Sequence, residues 1–220
     1  MLPMPTTPTT PSTRICLVRH GETDWNSAKR IQGQIDIDLN ATGEAQARAL
    51  RSGLAAHSFA AVYSSDLLRA WRTAQIATAG LGLAVTPAPI LRERHFGVMQ
   101  GVTSHEASLR HPQAYRHHQA RTADYDYESG ESLIAFAARV LDGLEALAAN
   151  HAGRSILAFT HGGVLDSVYR AAAGKALNAP RDFPLPNAAF NWVEHGDQGW
   201  RLISWADCRH LQRALDEILE

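Results

Sequence analysis

The 220-residue chain has only two cysteines, Cys16 and Cys208, too few for a disulfide framework or a zinc cluster. No stretch approaches the ~20 apolar residues that a membrane-spanning helix requires. There is no HExxH, no paired CxxC, no aspartate cluster at metal spacing and no internal repeat of fixed period. Neither a metal nor another cofactor is therefore expected. Excess charge is also missing: 21 Lys and Arg against 22 Asp and Glu leave a formal net charge of −1. With a sequence pI of about 6.8, no global field steers the chain to nucleic acid or to a membrane surface. A function that needs positive charge must gather it locally.

What is present suits one globular unit. A hydrophobic content of 45% over this length can bury a single sizeable core. The opening "MLPMPTTPTTPST" has no basic n-region and no continuous apolar run, so it does not read as a secretory signal. Its proline and threonine density predicts a disordered tail over residues 1–13, followed by one domain over 14–220. A soluble cytoplasmic protein is the expectation.

Short apolar runs alternate with helical patterns, as in a mainly parallel sheet covered by helices on both faces. Strands are predicted at 14–18, 60–65, around 83–88 and at 155–160. Helices are predicted at about 42–57, 66–79 and 164–173, with Gly80 and Gly174 as C-terminal stops. Leu133, Phe136, Val140, Leu144 and Leu147 recur at three- and four-residue steps, the stripe of an amphipathic helix on the core. Residues 189–206 read as two strands around a Gly/Asp turn, giving the sheet an antiparallel edge. That edge, near Trp192 and Trp200, is open to pairing in a homodimer. A last helix is predicted over 208–219.

Residues 98–129 break the pattern. They are polar, contain Pro112 and show no clean apolar period. Two readings stand: a solvated helix with ordinary surface charge, or an insertion that lies over the domain's mouth as a lid. The second would bring Arg110, His111, Arg116, His117, His118 and Arg121 toward an anionic substrate.

The chemistry gathers where strands end. "ICLV" runs into Arg19-His20-Gly21, and "SILAFT" runs into His161-Gly162-Gly163. In open α/β sheets, ligands bind beyond the carboxyl ends of the strands, so both histidines can face one crevice. The glycines let backbone N–H groups come close to a ligand. A third strand leads into "DLLRAWRTA", which sets Arg69 near a helix N-terminus on the same side. Two arginines can offer paired donors to phosphate oxygens, and their field keeps a neighbouring imidazole neutral and nucleophilic. A neutral imidazole can attack phosphorus and hold a phosphoryl group. "LRERHFG" offers Glu93 as the acid for the leaving group, beside Arg94 and His95. "RERH" reads equally well as a surface ion-pair patch, and Arg69 alone as a helix-surface residue.

"LVRHGETDWN" (17–26) resembles the signature of the histidine phosphatase, or phosphoglycerate-mutase-like, superfamily. The resemblance continues in order through "RIQGQIDIDLNATGEAQA", "VYSSDLLRAWRTA", "LRERHFGVMQG", "GES" and "ILAFTHGGVL". It implies a three-layer α/β/α sandwich with a mainly parallel sheet, one antiparallel edge strand and a helical insertion over the site. It also implies that His20 is the phosphorylated nucleophile and Glu93 the proton donor. Arg19, Arg69 and a charged His161 would bind the phosphoryl group, with Asn26, Gln32 and Gly162 completing its pocket. The implied partner is a small phosphorylated metabolite. Only about thirty residues separate Gly97 from Gly130. That short span resembles the broad-specificity phosphatases of the family more than its mutases, which carry a longer cover. The alternatives are a bisphosphoglycerate-dependent mutase, a phosphatase dedicated to a sugar bisphosphate or ribazole phosphate, and a non-catalytic phosphate-binding protein.

Overall fold

A computed structural model describes residues 11–211. In chain order the elements are β1 (Thr13–Arg19), α1 (Asp24–Ser27), α2 (Ala41–Leu54), β2 (Ala61–Ser64) and α3 (Leu68–Thr78). There follow β3 (Val85–Pro87), α4 (Ser104–Arg110), α5 (Pro112–Gln119), α6 (Leu133–Ala149) and β4 (Ser155–Thr160). The last are α7 (Gly162–Ala172), β5 (Phe190–Gly196) and β6 (Gly199–Asp207).

The period-2 alternation of the strands builds three layers. Ile15 and Leu17 of β1, with Ile156 and Ala158 of β4, face one core, which α6 closes through Phe136, Val140 and Leu144. Cys16 and Val18, with Leu157 and Phe159, face the other, which α2 closes through Leu50 and Leu54 and α3 through Ala74 and Ala77. Strands apolar on both faces are what a sheet covered on both sides requires.

The six strands lie in the order β3-β2-β4-β1-β5-β6. β1 and β4 are parallel neighbours in a register that sets Arg19 opposite Thr160, and β2 runs parallel to β4 on its other side. β5 opposes β1, and β6 opposes β5. The antiparallel edge is thus a hairpin: β5 alone runs against the rest, and the outermost strand is β6, which carries the exposed Ile203. The three strands whose exits carry Arg19-His20, His161 and the approach to Arg69 lie side by side.

Residues 98–129 correct the expectation of an irregular segment. Thr103 and Glu106 form a reciprocal capping box that starts α4, and Pro112 occupies the first turn of α5, where its missing N–H costs nothing. Met99, Val102, Ala107, Ala114 and Tyr127 make a small core of their own. Alanines carry much of the helices' burial, so no periodicity of large apolar residues announces them. The segment is tied down by Arg30, which pairs with Glu106 at 2.6 Å, and by Ile31 N–H donating to the Val102 carbonyl at 2.9 Å. The expected tail falls mostly on residues 1–10, outside the described part; Thr13 already belongs to β1. Of the expected last helix, residues 209–211 are helical and the remainder lies outside the described residues.

Candidate active site

β1 delivers His20, 3% exposed, to the carboxyl end of the sheet. Its Nδ1 lies 2.7 Å from the Gly21 carbonyl oxygen. A carbonyl only accepts, so Nδ1 carries the proton and Nε2 keeps its lone pair. Glycine is required next in the chain: a Cβ at Gly21 would collide with the Gly43 carbonyl in the first turn of α2. The His20 carbonyl is held by Asn187 Nδ2 at 2.8 Å, and the Gly21 N–H donates to Thr73 at 2.9 Å.

β4 delivers His161, fully buried, with its ring centroid 5.2 Å from that of His20. Its Nε2 is 2.8 Å from Ser65 Oγ, just beyond β2. Arg69, in the first turn of α3, is no surface residue. It is 1% exposed, and its Nη1 and Nη2 donate to the carbonyls of Ile35 (3.0 Å) and Gly33 (2.7 Å). Arg19 donates through Nη1 to the Leu185 carbonyl.

Those bonds orient the side chains yet leave part of each unused. Arg19 Nε, Arg69 Nε, His161 Nδ1 and Gln32 Oε1 are buried with no partner. Four such atoms in one place are not a random defect, because unpaired buried polar groups cost about 1–3 kcal/mol each. Turning the Gln32 amide over puts an N–H at the Oε1 position. Asn26 is engaged otherwise: its Oδ1 accepts from Thr23 N and Oγ1, both at 3.1 Å, capping α1. Asn26 and Gly162 both line the pocket, Gly162 as the first residue of α7.

Glu93 is not part of a surface ion-pair patch. Its Oε1 accepts from the Arg94 N–H at 2.8 Å and its Oε2 from the Gly163 N–H at 2.9 Å, at the start of α7. A Cβ at Gly163 would strike Glu93 Oε1. Of the "RERH" cations, Arg92 alone makes an outward pair, with Asp66 at 2.5 Å, whereas Arg94 is 5% exposed. The segment is clamped by Arg139, which donates to the carbonyls of Ile90 (2.8 Å) and Arg92 (3.2 Å) and grips Glu131 at 2.7 Å.

Electrostatics follow from this packing. Burial first, then Arg69 and Arg19, push the His20 imidazole well below its ordinary range. Burial, Arg69, His20 and Arg19 do the same to His161. Burial also lowers Arg69, to about 10, which leaves it charged at neutral pH. All these groups open onto one pocket of about 780 Å³, the size of a small-molecule site. Seven Lys and Arg side chains line it against two carboxylates, Glu93 and Asp166, in a chain whose formal net charge is −1. The local concentration of positive charge is therefore real, and the pocket suits a phosphate ester.

The wall also contains residues that the pattern of strand exits did not single out: Ser65 and Asn187 as supports, and Tyr127, Asp166 and Arg181 on the lining. Arg94, in the "RERH" run that also reads as a surface ion-pair patch, is on the lining too. Asn187 carries no motif signal, and it reaches His20 from the loop before β5.

An α/β/α sandwich with two buried histidines, the buried Arg69 and the half-buried Arg19 around one crevice has the donors to suit a phosphoryl group. The model of the histidine phosphatase superfamily (branch 1) matches residues 15–208, and the chain belongs to that family. It is 42% identical over 207 residues to the metal-independent phosphoserine phosphatase of Arabidopsis thaliana, covering 90% of this chain and 83% of that protein. It is 35% identical over 211 residues to a probable phosphoglycerate mutase GpmB of Serratia proteamaculans (93% and 98% covered). Among solved structures it resembles Bacillus stearothermophilus YhfR with a TM-score of 0.84 at 30% identity, covering 90% and 99% of the chains. It is an enzyme of the phosphatase and phosphoglycerate-mutase-like type. Among the described residues, no helix is long and apolar enough to cross a membrane.

Proposed function

We propose that the protein hydrolyses small phosphomonoesters without a metal, through a phosphohistidine at His20. The reading rests chiefly on the cluster of buried, unpartnered polar atoms on Arg19, Gln32, Arg69 and His161 beside a His20 whose Nε2 keeps its lone pair. The phosphoryl group supplies the missing partners. Nε2 attacks phosphorus in line with the ester oxygen, which leaves with a proton from Glu93. Glu93 then takes a proton from water, which attacks the phosphohistidine and releases phosphate. A dianion seated between Arg19 and Arg69 opposes the forces that hold His161 neutral, and recruits a proton to it as charge builds on the phosphoryl oxygens.

The insertion, with its own small core and its ties to Arg30 and Ile31, acts as a fixed cover over part of the mouth. Both cysteines are free thiols, which suits the reducing cytoplasm where such metabolites occur.

A mutase is the second reading, favoured by the GpmB relative. Purified protein in EDTA should release phosphate from an aryl phosphate and from 3-phosphoglycerate, with or without 2,3-bisphosphoglycerate. Isomerisation that depends on the bisphosphate, without phosphate release, would overturn the phosphatase reading.

A further inference from the structure

The Ser65 hydroxyl is buried, and its proton has one place to go. The chain leaves β2 in parallel register with β4, Ser64 opposite Phe159, and the Ser65 N–H donates to the Phe159 carbonyl at 2.9 Å. That register sets Ser65, fully buried, beside His161 at the neighbouring strand exit, with Oγ 2.8 Å from Nε2. The same Oγ accepts the Leu67 N–H at 3.3 Å, where α3 begins.

A hydroxyl carries one proton, and a buried one has to donate it. Leu67 brings a donor of its own and cannot receive it. Among the described residues, the only acceptor that Ser65 Oγ reaches is His161 Nε2. Nε2 therefore holds a lone pair, and the proton of the neutral ring sits on Nδ1. Nδ1 is one of the buried atoms left without a partner, as are the Nε atoms of Arg19 and Arg69. The ring is a donor with nothing to donate to until an oxyanion arrives.

The surroundings of His161 would not arrange this unaided. Burial, Arg69, His20, Arg19 and Arg139 all oppose a positive ring. Cations at close range favour a lone pair, not a proton, on the nitrogen turned toward them. The two histidines are thus set by opposite devices. The Gly21 carbonyl accepts from His20 Nδ1 and frees Nε2, whereas Ser65 donates to His161 Nε2 and puts the N–H on Nδ1.

We propose that Ser65 is a positioning residue for the phosphoryl pocket: its hydroxyl fixes the His161 tautomer, so that the ring offers an N–H to the phosphoryl group while still neutral. When a bound dianion recruits a second proton to the ring, that proton enters at Nε2, and the hydroxyl turns to accept it. The hydroxyl's own proton then loses its acceptor, which confines the charged ring to the occupied pocket. As a step in turnover this rests on the hydrolytic reading; as a property of the ring it does not.

Nitrogen NMR on full-length protein carrying isotope-labelled histidine reads the tautomer at pH 7.5, with His161 identified by the signals lost in His161→Gln. The proton should lie on Nδ1 in the wild type and on Nε2 in Ser65→Ala. Calorimetry with inorganic phosphate then compares the two proteins at each pH, a ratio in which phosphate's own titration cancels. Ser65→Ala should bind about tenfold more weakly at pH 8, where its neutral ring turns a lone pair to the anion. At pH 5.5, where the ring takes up a proton with phosphate, the two should agree within about twofold. A wild-type His161 with its proton on Nε2 would overturn the proposal, as would an equal loss of phosphate affinity at both pH values. The expected tautomer in a protein that binds phosphate without any turnover would sustain the role of Ser65 and overturn hydrolysis.

Discussion

Acidification should destabilise this protein through its active site, and the size of the effect can be worked out. His20 and His161 are buried with imidazoles pushed well below the ordinary histidine value near 6.5. Below about pH 6.5 the unfolded chain therefore binds a proton at each residue that the folded chain refuses, so stability falls as pH falls. It is fully present above that value and lost progressively below it, until the folded-state pKa is reached. From pH 7.5 to 5.5 each histidine removes about 1.4 kcal/mol, and the pair about 3 kcal/mol, provided both stay neutral when folded. That is a large share of an ordinary domain's stability of about 5–15 kcal/mol. Urea denaturation at a series of pH values, in buffer free of phosphate, measures it. His161→Gln should lose about half of the slope whatever its absolute stability. Inorganic phosphate should flatten the wild-type profile by favouring the protonated imidazole. A variant whose profile runs parallel to the wild type would refute the claim that burial and the arginines hold His161 neutral.

Other outcomes follow from the same geometry. Glu93→Gln should slow alkyl phosphates at least about tenfold more than aryl phosphates, since only a poor leaving group needs the acid. Equal losses in steady-state kinetics on both would remove Glu93 from that role. Gly163→Ala should lower kcat on alkyl phosphates with near-normal thermal stability, because its methyl group displaces Glu93; unchanged kcat would show that the carboxylate's position does not matter. Leu144→Ala, at a fully buried position of α6, should cost about 2–5 kcal/mol in urea denaturation and leave KM intact.

The central sheet and the reacting end were legible because their signals are local. "ICLV" and "SILAFT" are apolar on both faces, which only a strand covered on both sides tolerates, and each ends abruptly in His-Gly or Arg-His-Gly. Phe136, Val140 and Leu144 announced α6 by spacing alone, although Leu147 proves only partly buried. The equivalent exits let both histidines face one crevice, and the parallel pairing of β1 with β4, Arg19 opposite Thr160, is how the fold brings them there.

The wall opposite the reacting end was legible only in part: the lid reading turned His118 and Arg121 toward an anionic substrate, and both line the pocket, but their neighbours gave no signal. Tyr127 reaches the pocket through left-handed backbone at a residue that is not glycine, a conformation no propensity announces. Asp166 sits one turn into α7 and looks from the sequence like any helix-surface acid, yet it is 5% exposed between two arginines. α4 and α5 bury alanines, which spacing arguments overlook. The roles of Arg94 and of Asn187 depend on loops that fold back from distant parts of the chain.

The account's central claim is that a phosphoryl group resides on His20 during turnover. Protein mixed with excess aryl phosphate and quenched in alkali within a turnover should yield one phosphorylated peptide, modified at His20, stable to base and labile to acid. His20→Ala should give none and should retain no turnover while remaining folded. A phosphoryl group on a serine or on another histidine, or a folded His20→Ala protein that still turns over, would contradict the account.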